Sequence, residues 1–265
     1  MQLPGVYQAK KKDGTIYYRS SITYQNKHIS LGSYPYEKHA HEAYNEAYKL
    51  LKDASYRIDS YNEEIYFLSF EKWVVLVNYR DNHIYIKNPI YIMKDYFIYY
   101  IDRKTFFLFD VDDLFYYSTH KIMKRGGHLF VSDYGMQVNI LSRYGIKNYG
   151  VVNRDYRFVN GDSTDFRYRN IEIINKYYGV SKIDTTGLPI YLTKVHINGD
   201  IIIGRYSLEI EAAIAYNKAI DLLESKGIKK NFMKNYIEEM DEIEYAKVYH
   251  QVRVSESIRN YQVNL

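Results

Sequence analysis

Four arginines within sixteen residues are the side chains whose type and spacing most directly suggest chemistry. They are Arg154, Arg157, Arg167 and Arg169. A guanidinium group carries a permanent positive charge and several N–H donors, which suits it to contact phosphate groups. The same segment contains Asp155, Asp162 and Asp165, so surface ion pairing is an equally good interpretation. The sequence leaves both open.

Residues for metal or nucleophilic chemistry are scarce. Cysteine is absent, which excludes thiolate zinc sites, cysteine nucleophiles and disulfide scaffolds. His120 and His128 precede the arginine-rich segment, but their spacing forms no ligand pair, and a lone histidine is more often structural. We therefore predict no metal site, no cofactor and no catalytic residue.

An internal repeat organises the elements that must position these residues. Nine identical residues recur at the same mutual spacing, with a constant offset of 172. In the first copy they are Gly32, Tyr34, Ala40, Ala43, Tyr44, Asn45, Ala47, Leu50 and Leu51. In the second copy they are Gly204, Tyr206, Ala212, Ala215, Tyr216, Asn217, Ala219, Leu222 and Leu223. Chance does not easily produce this pattern.

Each copy is predicted to form three strands and a helix. In the first copy the strands are expected at 6–10, 17–24 and 27–31, with a turn at Gln25-Asn26. In the second, Asn198-Gly199 is expected to form a two-residue hairpin turn. The repeated alanines and leucines lie on one helical stripe, where small side chains allow close approach to a sheet.

The first predicted sheet has one polar face. Alternation along the strands turns Ile22, Ile29 and Leu31 toward the helix. The open face then carries Arg19, Ser21, Thr23, His28 and Ser30, with Lys10, Lys11 and Lys12 beside it. This face is either an ordinary solvated surface or a surface that enters the major groove of DNA, with the lysines on phosphates.

The first copy resembles the APETALA2/ethylene-response-factor domain, whose three-stranded sheet reads DNA. The resemblance is carried by Gly5-Val6-Tyr7, Tyr18-Arg19-Ser20-Ser21-Ile22, Leu31-Gly32-Ser33-Tyr34 and Glu42-Ala43-Tyr44-Asn45-Glu46-Ala47. It covers residues 3–54 and, more weakly, 177–226. It implies DNA contacts near Tyr7, Ala9, Ser21, Thr23, His28 and Ser30. Several of the family's arginines and tryptophans are absent, so its base preference does not transfer.

The second copy is less basic than the first. Residues 179–228 contain five basic and six acidic residues, net −1, whereas residues 1–58 contain nine and five, net +4. We therefore predict that the first copy is the principal DNA reader, with Lys10, Lys12 and Arg19 among its contacts. Further contacts are predicted at Lys182, Lys194, His196 and Arg205. The open face of the second copy would also carry Leu192, Asp200 and Ile202, and its apolar members could instead serve self-association.

Residues 156–172 resemble the ββα-metal motif of HNH homing endonucleases, in which a His-rich strand, an Asn-Gly turn and a short helix build a metal site. Asn160-Gly161 and Arg167-Tyr168-Arg169-Asn170-Ile171 carry the resemblance. Such enzymes often contain an APETALA2-like domain, so the two resemblances support each other. Arg157 and Phe158 stand where the family has its paired ligands, and neither side chain can bind a cation or act as a base. The resemblance thus implies a degenerate nuclease centre, although an active metal-dependent nuclease stays an alternative.

The remaining segments give coarser expectations. Strands are predicted at 73–79, 83–86, 97–101 and 106–111, with a turn at Gly126-Gly127 into another strand and Trp73 in the core. In the tail, five apolar residues lie at helical spacing beside an acidic run, namely Phe232, Tyr236, Ile237, Met240 and Ile243. This pattern predicts a helix that packs on the body or mediates oligomerisation.

The expected fold class is α+β, with two three-stranded-sheet-plus-helix modules flanking a degenerate ββα middle domain. The predicted domains are 1–58, 59–176, 177–228 and a helical tail, 229–265. The 46% of apolar residues suffice to form cores, and the 33 tyrosines are attributed mainly to A/T-rich coding. The chain shows neither a signal peptide nor an 18-residue apolar run, so we expect no membrane association and a cytoplasmic, nucleoid-associated protein of bacterial or phage origin.

These observations predict a sequence-specific double-stranded DNA-binding protein, related to homing endonucleases but catalytically inactive, that regulates transcription. Double-stranded DNA is the expected partner. Self-association is expected to use the second module or the tail. A protein-interaction scaffold is the second alternative.

Overall fold

The computed structural model describes residues 3–183 and 186–262. The chain divides into two compact units, the first comprising Met1–Ile140 and Asp162–Asn170, the second Leu141–Gly161 and Ile171–Leu265. Residues 59–176, predicted as one middle domain, are thus shared between the units. Small three-stranded antiparallel sheets and helices make up both units, which confirms the α+β class. Within the described ranges, no helix combines the length and apolarity needed to cross a membrane.

The first copy of the repeat folds into the predicted sheet and helix, which we call the first module. Strands β1 (Val6–Lys10), β2 (Ile16–Tyr24) and β3 (Lys27–Tyr34) pair antiparallel in that order, and α1 (Glu37–Lys52) follows. Both residues of the Gln25-Asn26 turn have positive φ, which closes a two-residue hairpin. The repeated apolar residues of α1 are buried, namely Ala40, Ala43, Ala47, Leu50 and Leu51.

The next segment is a helix where strands were predicted. α2 (Phe70–Asn82) contains the apolar run 73–79, so the prediction of a strand there was wrong. All seven of those residues are buried, and a helix surrounded by protein shows no amphipathic period. The Ser69 side chain accepts a hydrogen bond from the Lys72 amide, which begins the helix. His83 ends it with a φ of 58°, so residues 83–86 form no strand.

Two more sheets and a short helix complete the first unit. β4 (Ile90–Ile92), β5 (Tyr96–Tyr100) and β6 (Phe106–Asp110) form one sheet, followed by α3 (Leu114–Thr119). β7 (Met123–Arg125), β8 (His128–Asp133) and β9 (Met136–Asn139) form the other. The strands predicted at 97–101 and 106–111 are confirmed within one residue, as is the turn before β8. Trp73 is buried in the core, as predicted.

The segment that resembles a ββα-metal motif contains no α-helix. β10 (Tyr156–Phe158) and β11 (Ile171–Ile173), in the second unit, pair antiparallel. In the first unit, residues 168–170 make a single 3₁₀ turn where the resemblance implied a helix. The buried Asn170 amide donates to the carbonyl oxygens of Asp162 and Asp165, at 3.2 and 2.8 Å. These bonds close a short loop, which accounts for the missing helix.

The second copy repeats the architecture of the first and is called the second module. It consists of β12 (Val180–Ile183), β13 (Ile190–His196), β14 (Asp200–Tyr206) and α4 (Glu209–Ser225). The strand register shifts at equivalent places, between Ser20 and Ser21 and between Thr193 and Lys194. The connection from β13 to β14 has three residues, 197–199, because pairing ends at His196 and Asp200. The prediction of a two-residue turn at Asn198-Gly199 was therefore wrong.

Each module presses a glycine against a tyrosine ring. Gly5 and Gly179 have φ values of 73° and 70°, which favour glycine. A Cβ on either would lie about 2 Å from a ring carbon, 2.1 Å from Tyr44 or 2.2 Å from Tyr216. The carbonyl oxygen of each glycine accepts a hydrogen bond from the central strand, at 3.0 and 2.8 Å. The close contact thus anchors the first strand to both sheet and helix.

The tail packs on the second module, but its first part is not the predicted helix. α5 (Glu242–Gln251) and α6 (Glu256–Arg259) begin only after residues 228–240 have crossed α4 without regular structure. Asn217 of α4 bonds both the amide and the carbonyl of Asn235, at 2.7 and 2.8 Å. These bonds satisfy an extended backbone. Ile237 is buried, whereas Tyr236 and Ile243 are exposed, which contradicts one helical stripe.

Each module binds the segment that follows it through a repeated tyrosine. Tyr34 donates to the carbonyl oxygen of Phe67 at 3.2 Å, and Tyr206 donates to that of Arg253 at 2.6 Å. Burial raises the pKa of both tyrosines to about 12, so their hydroxyls remain protonated donors.

The residues at a second equivalent position of the two modules also bind the following segment, but they carry opposite charges. Glu46 accepts hydrogen bonds from the amides of Phe67 and Leu68, just before α2, and burial raises its pKa. Lys218, at the equivalent position, donates to the carbonyls of Tyr249 and Val252 at the end of α5. Glu46 therefore lies near the N-terminus of α2, whereas Lys218 lies at the C-terminus of α5.

Gly5→Ala is expected to lower the free energy of unfolding of the first unit by at least about 2 kcal/mol, because the positive φ and the contact with the Tyr44 ring both oppose a methyl group. Urea denaturation followed by the fluorescence of Trp73, the only tryptophan, measures this unit.

Gly14→Ala is the control, because Gly14 also has a positive φ, 91°, but its nearest neighbour would be the flexible end of Lys10 at 3.6 Å. This variant should lose only about 1 kcal/mol. Equal losses in the two variants would show that the contact with the Tyr44 ring contributes nothing.

Candidate nucleic-acid interface

The face of the first module's sheet that points away from α1 is called the outer face. Strand pairing places its members opposite one another: Tyr7 with Arg19, Ser21 with Ser30, Thr23 with His28 and Ala9 with Tyr17. Tyr7, Arg19, Thr23, His28 and Ser30 are exposed. The predicted open face is therefore one continuous surface across three strands.

Arg19 is held against the outer face by Tyr17. The Arg19 Nε and Nη2 atoms donate to the Tyr17 hydroxyl at 3.2 and 2.7 Å, and the guanidinium carbon lies 5.5 Å from the ring centroid. The remaining N–H donors of Arg19 can bind a ligand in a fixed orientation. The sequence analysis did not identify Tyr17, although alternation from Arg19 places it on the same face.

Two predicted contact residues lie differently from expectation. Ser21 is only 8% exposed, because the register shift lets its amide bond the Gly5 carbonyl and draws its side chain inward. Lys10 pairs with Ile16, and alternation places it on the helix side of the sheet. Lys11 and Lys12 are exposed in the turn from β1 to β2. The cationic rim of the outer face is therefore this turn.

The cations of the first module are not neutralised by ion pairs. Among the described residues, no carboxylate lies within 4.0 Å of Arg19, Lys11 or Lys12. His28 likewise pairs across the strand with the neutral Thr23. The positive charges of Arg19, Lys11 and Lys12 are thus presented to solvent.

A groove of about 400 Å³ adjoins the outer face at the edge of β2, beyond the start of β1. Thr23 and His28 line it on the sheet side. Tyr44 and Tyr48 of α1, with stacked rings 6.5 Å apart, line the opposite side. The Lys52 Nζ lies 4.2 Å from the centroid of the Tyr48 ring. The groove adds a cation and aromatic surface to the edge of the outer face.

The equivalent face of the second module is largely neutralised. Leu192, Lys194, His196, Asp200 and Ile202 share this face, as predicted. His196 Nδ1 lies 2.9 Å from the Asp200 carboxylate and Lys194 Nζ lies 3.9 Å from it. The hydrogen bond from His196, aided by Lys194, lowers the pKa of Asp200.

The other two predicted contacts of the second module lie on opposite faces. Arg205 is exposed and pairs with Leu192 on the outward side. Lys182 pairs with Tyr191, which places it on the helix side of the sheet. Lys182 and Lys194 therefore do not contribute to one surface.

Three of the four arginines considered for phosphate contact are ion-paired. Arg154 binds Asp155 at 2.8 Å and Arg157 binds Glu172 at 2.8 Å, both in the second unit. In the first unit, Arg167 forms two bonds with Asp165, at 2.8 and 2.6 Å. Arg169 is exposed and belongs to no ion pair of the described residues. Ion pairing, the alternative to phosphate contact, thus accounts for three of them.

Asp155, like Asp165, is a buried carboxylate among these partners. Its side chain is 3% exposed and binds Lys147 at 2.9 Å, in addition to Arg154 and the amide of Val151. Burial raises the pKa of Asp155, but these hydrogen bonds outweigh it and hold the pKa below its usual range. Arg154, whose side chain is 62% exposed, therefore completes an ion-pair network around a buried carboxylate.

Of the residues considered for catalysis, His120 and Phe158 pack against aromatic rings. His120 stacks on Tyr116, with ring centroids 4.2 Å apart, and its Nε2 lies 3.5 Å from Asp133. His128 is exposed at the start of β8. Phe158 packs edge-on against Tyr156. Across residues 3–183 and 186–262, no group of three or more His, Asp or Glu side chains is placed to hold a metal ion.

Arg167→Gln is expected to destabilise the first unit by about 2–3 kcal/mol, because the Asp165 carboxylate, 2% exposed, loses its two guanidinium hydrogen bonds. Trp73 fluorescence during urea denaturation measures the loss. Arg169→Gln, which removes an exposed arginine two residues away, should change stability by less than about 0.5 kcal/mol. Similar effects would argue against a structural role for Arg167.

Comparison with known proteins identifies no relative of this chain. No protein-family model matches the chain, no curated protein matches it, and no solved structure matches it.

Proposed function

We propose that this chain is a sequence-specific double-stranded DNA-binding protein and that the outer face of the first module reads the DNA. The observation that carries the proposal is an exposed polar sheet face on which Arg19 has no carboxylate partner. Three strands spaced about 4.8 Å apart are about 10 Å wide between the outer backbones. A B-DNA major groove about 12 Å wide admits such an element.

The side chains of this face divide into two roles. Arg19, oriented by Tyr17, has the donors needed for a guanine edge, while Tyr7, Thr23, His28 and Ser30 supply shorter polar contacts. Lys11 and Lys12, at one end of the sheet, are placed to contact phosphates. Base reading and phosphate binding then come from different parts of one module.

The second module is proposed as an auxiliary contact. Asp200 competes for His196 and Lys194, which reduces their attraction for phosphate. Arg205 remains exposed and can contribute a single phosphate contact. Leu192 and Ile202 on the same face favour a contact between copies of the chain, which would place two reading faces on one DNA.

Occupancy of DNA, rather than cleavage, is the proposed mode of action, as in a transcriptional regulator. Phe158 cannot accept a proton and Arg157 is bound to Glu172, so we assign no hydrolytic step to this segment. Plasmid nicking that requires Mg²⁺ and disappears in His128→Ala would contradict this part of the proposal.

Selection from a random duplex pool, followed by sequencing, tests DNA reading directly. Enrichment of one motif at moderate salt is the expected result. Recovery of no motif, together with no shift of any duplex in a gel, would instead favour the protein-interaction scaffold.

Arg19→Gln is expected to raise the Kd for the selected duplex about tenfold or more, because a lost bidentate base contact costs about 1–3 kcal/mol. Arg205→Gln removes the same charge from an exposed strand of the second module and should change Kd by less than about threefold. Fluorescence anisotropy at fixed salt measures both. Equal losses would show that the first module is not the principal reader.

The double variant Lys11→Gln, Lys12→Gln is expected to weaken binding to all duplexes alike and to reduce the slope of log Kd against log salt by about 2, since each phosphate contact contributes nearly one unit. Titrations between about 50 and 200 mM salt give the slope. An unchanged slope would remove these lysines from the phosphate-binding set.

A further inference from the structure

The sheet β4–β5–β6 of the first unit has two apolar faces, of which only one is fully buried. Ile90, Phe97, Tyr99, Phe107 and Phe109 form the buried face. Alternation places Tyr91, Ile98, Tyr100, Phe106 and Leu108 on the opposite face, where Phe106 is 40% exposed and the others are half-buried. Asp110 lies at one end of this face, and Phe70 of α2 packs on Tyr100. The rest is an apolar surface of a kind that is unusual on a solvated sheet face and that a ligand can cover.

A cavity of about 760 Å³ lies over that face. Met93, Ile98, Tyr100 and Phe106 form its floor, and Phe70 and Val77 of α2 form one wall. This volume falls within the range of about 300–1,000 Å³ that is typical of small-molecule sites. The cavity can therefore bury the apolar body of a small organic molecule.

The polar groups deep in the cavity are already satisfied by the protein. Arg80 donates to the carboxylate of Asp81 at 2.6 Å and to the carbonyl of Asp53 at 2.8 Å. The Tyr91 hydroxyl donates to the second carboxylate oxygen of Asp81 at 3.2 Å. A ligand gains little by competing for these groups, so its buried part should be apolar.

Two arginines of the lining retain free donors. Arg103 is exposed and belongs to no ion pair of the described residues. Arg57 lies 3.9 Å from Asp59, but both side chains are about four-fifths exposed, so this pair is weak. With Arg57, Arg80 and Arg103 against Asp59 and Asp81, the lining carries a net charge of +1. The charge favours a ligand with one anionic group.

We infer that this cavity binds a small amphipathic carboxylate, with its apolar body on the β4–β5–β6 sheet and its carboxylate at Arg103 and Arg57. A medium-chain fatty acid and an aryl carboxylate share this chemistry. The site lies outside the outer face of the first module and does not depend on DNA binding.

Fluorescence titration of the full chain with 8-anilinonaphthalene-1-sulfonate tests the site, because this probe combines an aromatic body with one anionic group. Saturation at one probe per chain is expected. Decanoate and naphthoate then compete as the two ligand sources, and decyltrimethylammonium serves as the cationic counterpart of decanoate. The anions should displace the probe at concentrations at least tenfold lower than the cation.

Four variants locate the binding. Arg103→Gln should weaken decanoate about fivefold or more while leaving decanol unchanged, and Arg125→Gln, an exposed arginine of β7, should change neither. Met93→Trp, which fills the cavity at a 37% exposed position, should abolish probe binding. Phe106→Asp, at an exposed strand end, is the second blocking variant should Met93→Trp fail to fold.

Three results would overturn the inference. They are the absence of saturable probe binding to the wild-type chain, equal competition by anion and cation, and undiminished binding in folded Arg103→Gln and Phe106→Asp. Far-UV circular dichroism shows which variants are folded.

Discussion

The structure depends on the fact that one short helix can cover only one face of a three-stranded sheet. In each module the alanine-rich face of α1 or α4 approaches so closely that Gly5 and Gly179 contact tyrosine rings with no space for a Cβ. This approach buries the apolar half of the sheet and leaves the other half to solvent. The outer face is thus a consequence of the fold, and its side chains are free to vary without loss of the core. That freedom is what allows one module to carry exposed cations and the other to neutralise them.

A module of this size also needs the segment that follows it. Tyr34 and Tyr206 bind a carbonyl oxygen of that segment, and both positions belong to the repeat. Glu46 and Lys218 achieve the same attachment with opposite charges, because one binds amides before a helix and the other binds carbonyls at the end of one. The similarity of the two modules therefore includes the attachment of the following segment, which lies outside the sequence match. All four side chains bind backbone groups of those segments.

Sequence alone predicted those parts of the fold in which periodicity reflects one buried face. The strands and helix of both modules follow from alternation, from the Gln25-Asn26 turn and from the alanine stripe. It failed at α2, where seven consecutive buried residues remove the period that separates helix from strand. It failed in the tail because Asn217 satisfies the backbone at Asn235, a contact between residues eighteen positions apart. Long-range side-chain bonds of this kind leave no local pattern.

The candidate interface, like the fold, was predicted in part from the sequence. Alternation located Arg19, Thr23, His28 and Ser30, but it could not show the register shift that buries Ser21. The arginines of the 154–169 segment were ambiguous because their partners are set by strand pairing, as when β11 places Glu172 opposite Arg157. Where arginines have carboxylate partners of this kind, the number of arginines overstates the positive charge that can attract phosphate.

The two modules show how little separates a cationic sheet face from a neutral one. The outward-facing cross-strand pair nearest the hairpin turn is Thr23 with His28 in the first module and His196 with Asp200 in the second. The exchange puts a carboxylate beside His196 and within 3.9 Å of Lys194, so one residue engages two of the basic side chains of that face. The scaffold is otherwise unchanged, with the same strand order, the same register shift and the same glycine contact. Cross-strand pairing, rather than the net charge of the chain, therefore decides which face can attract a polyanion.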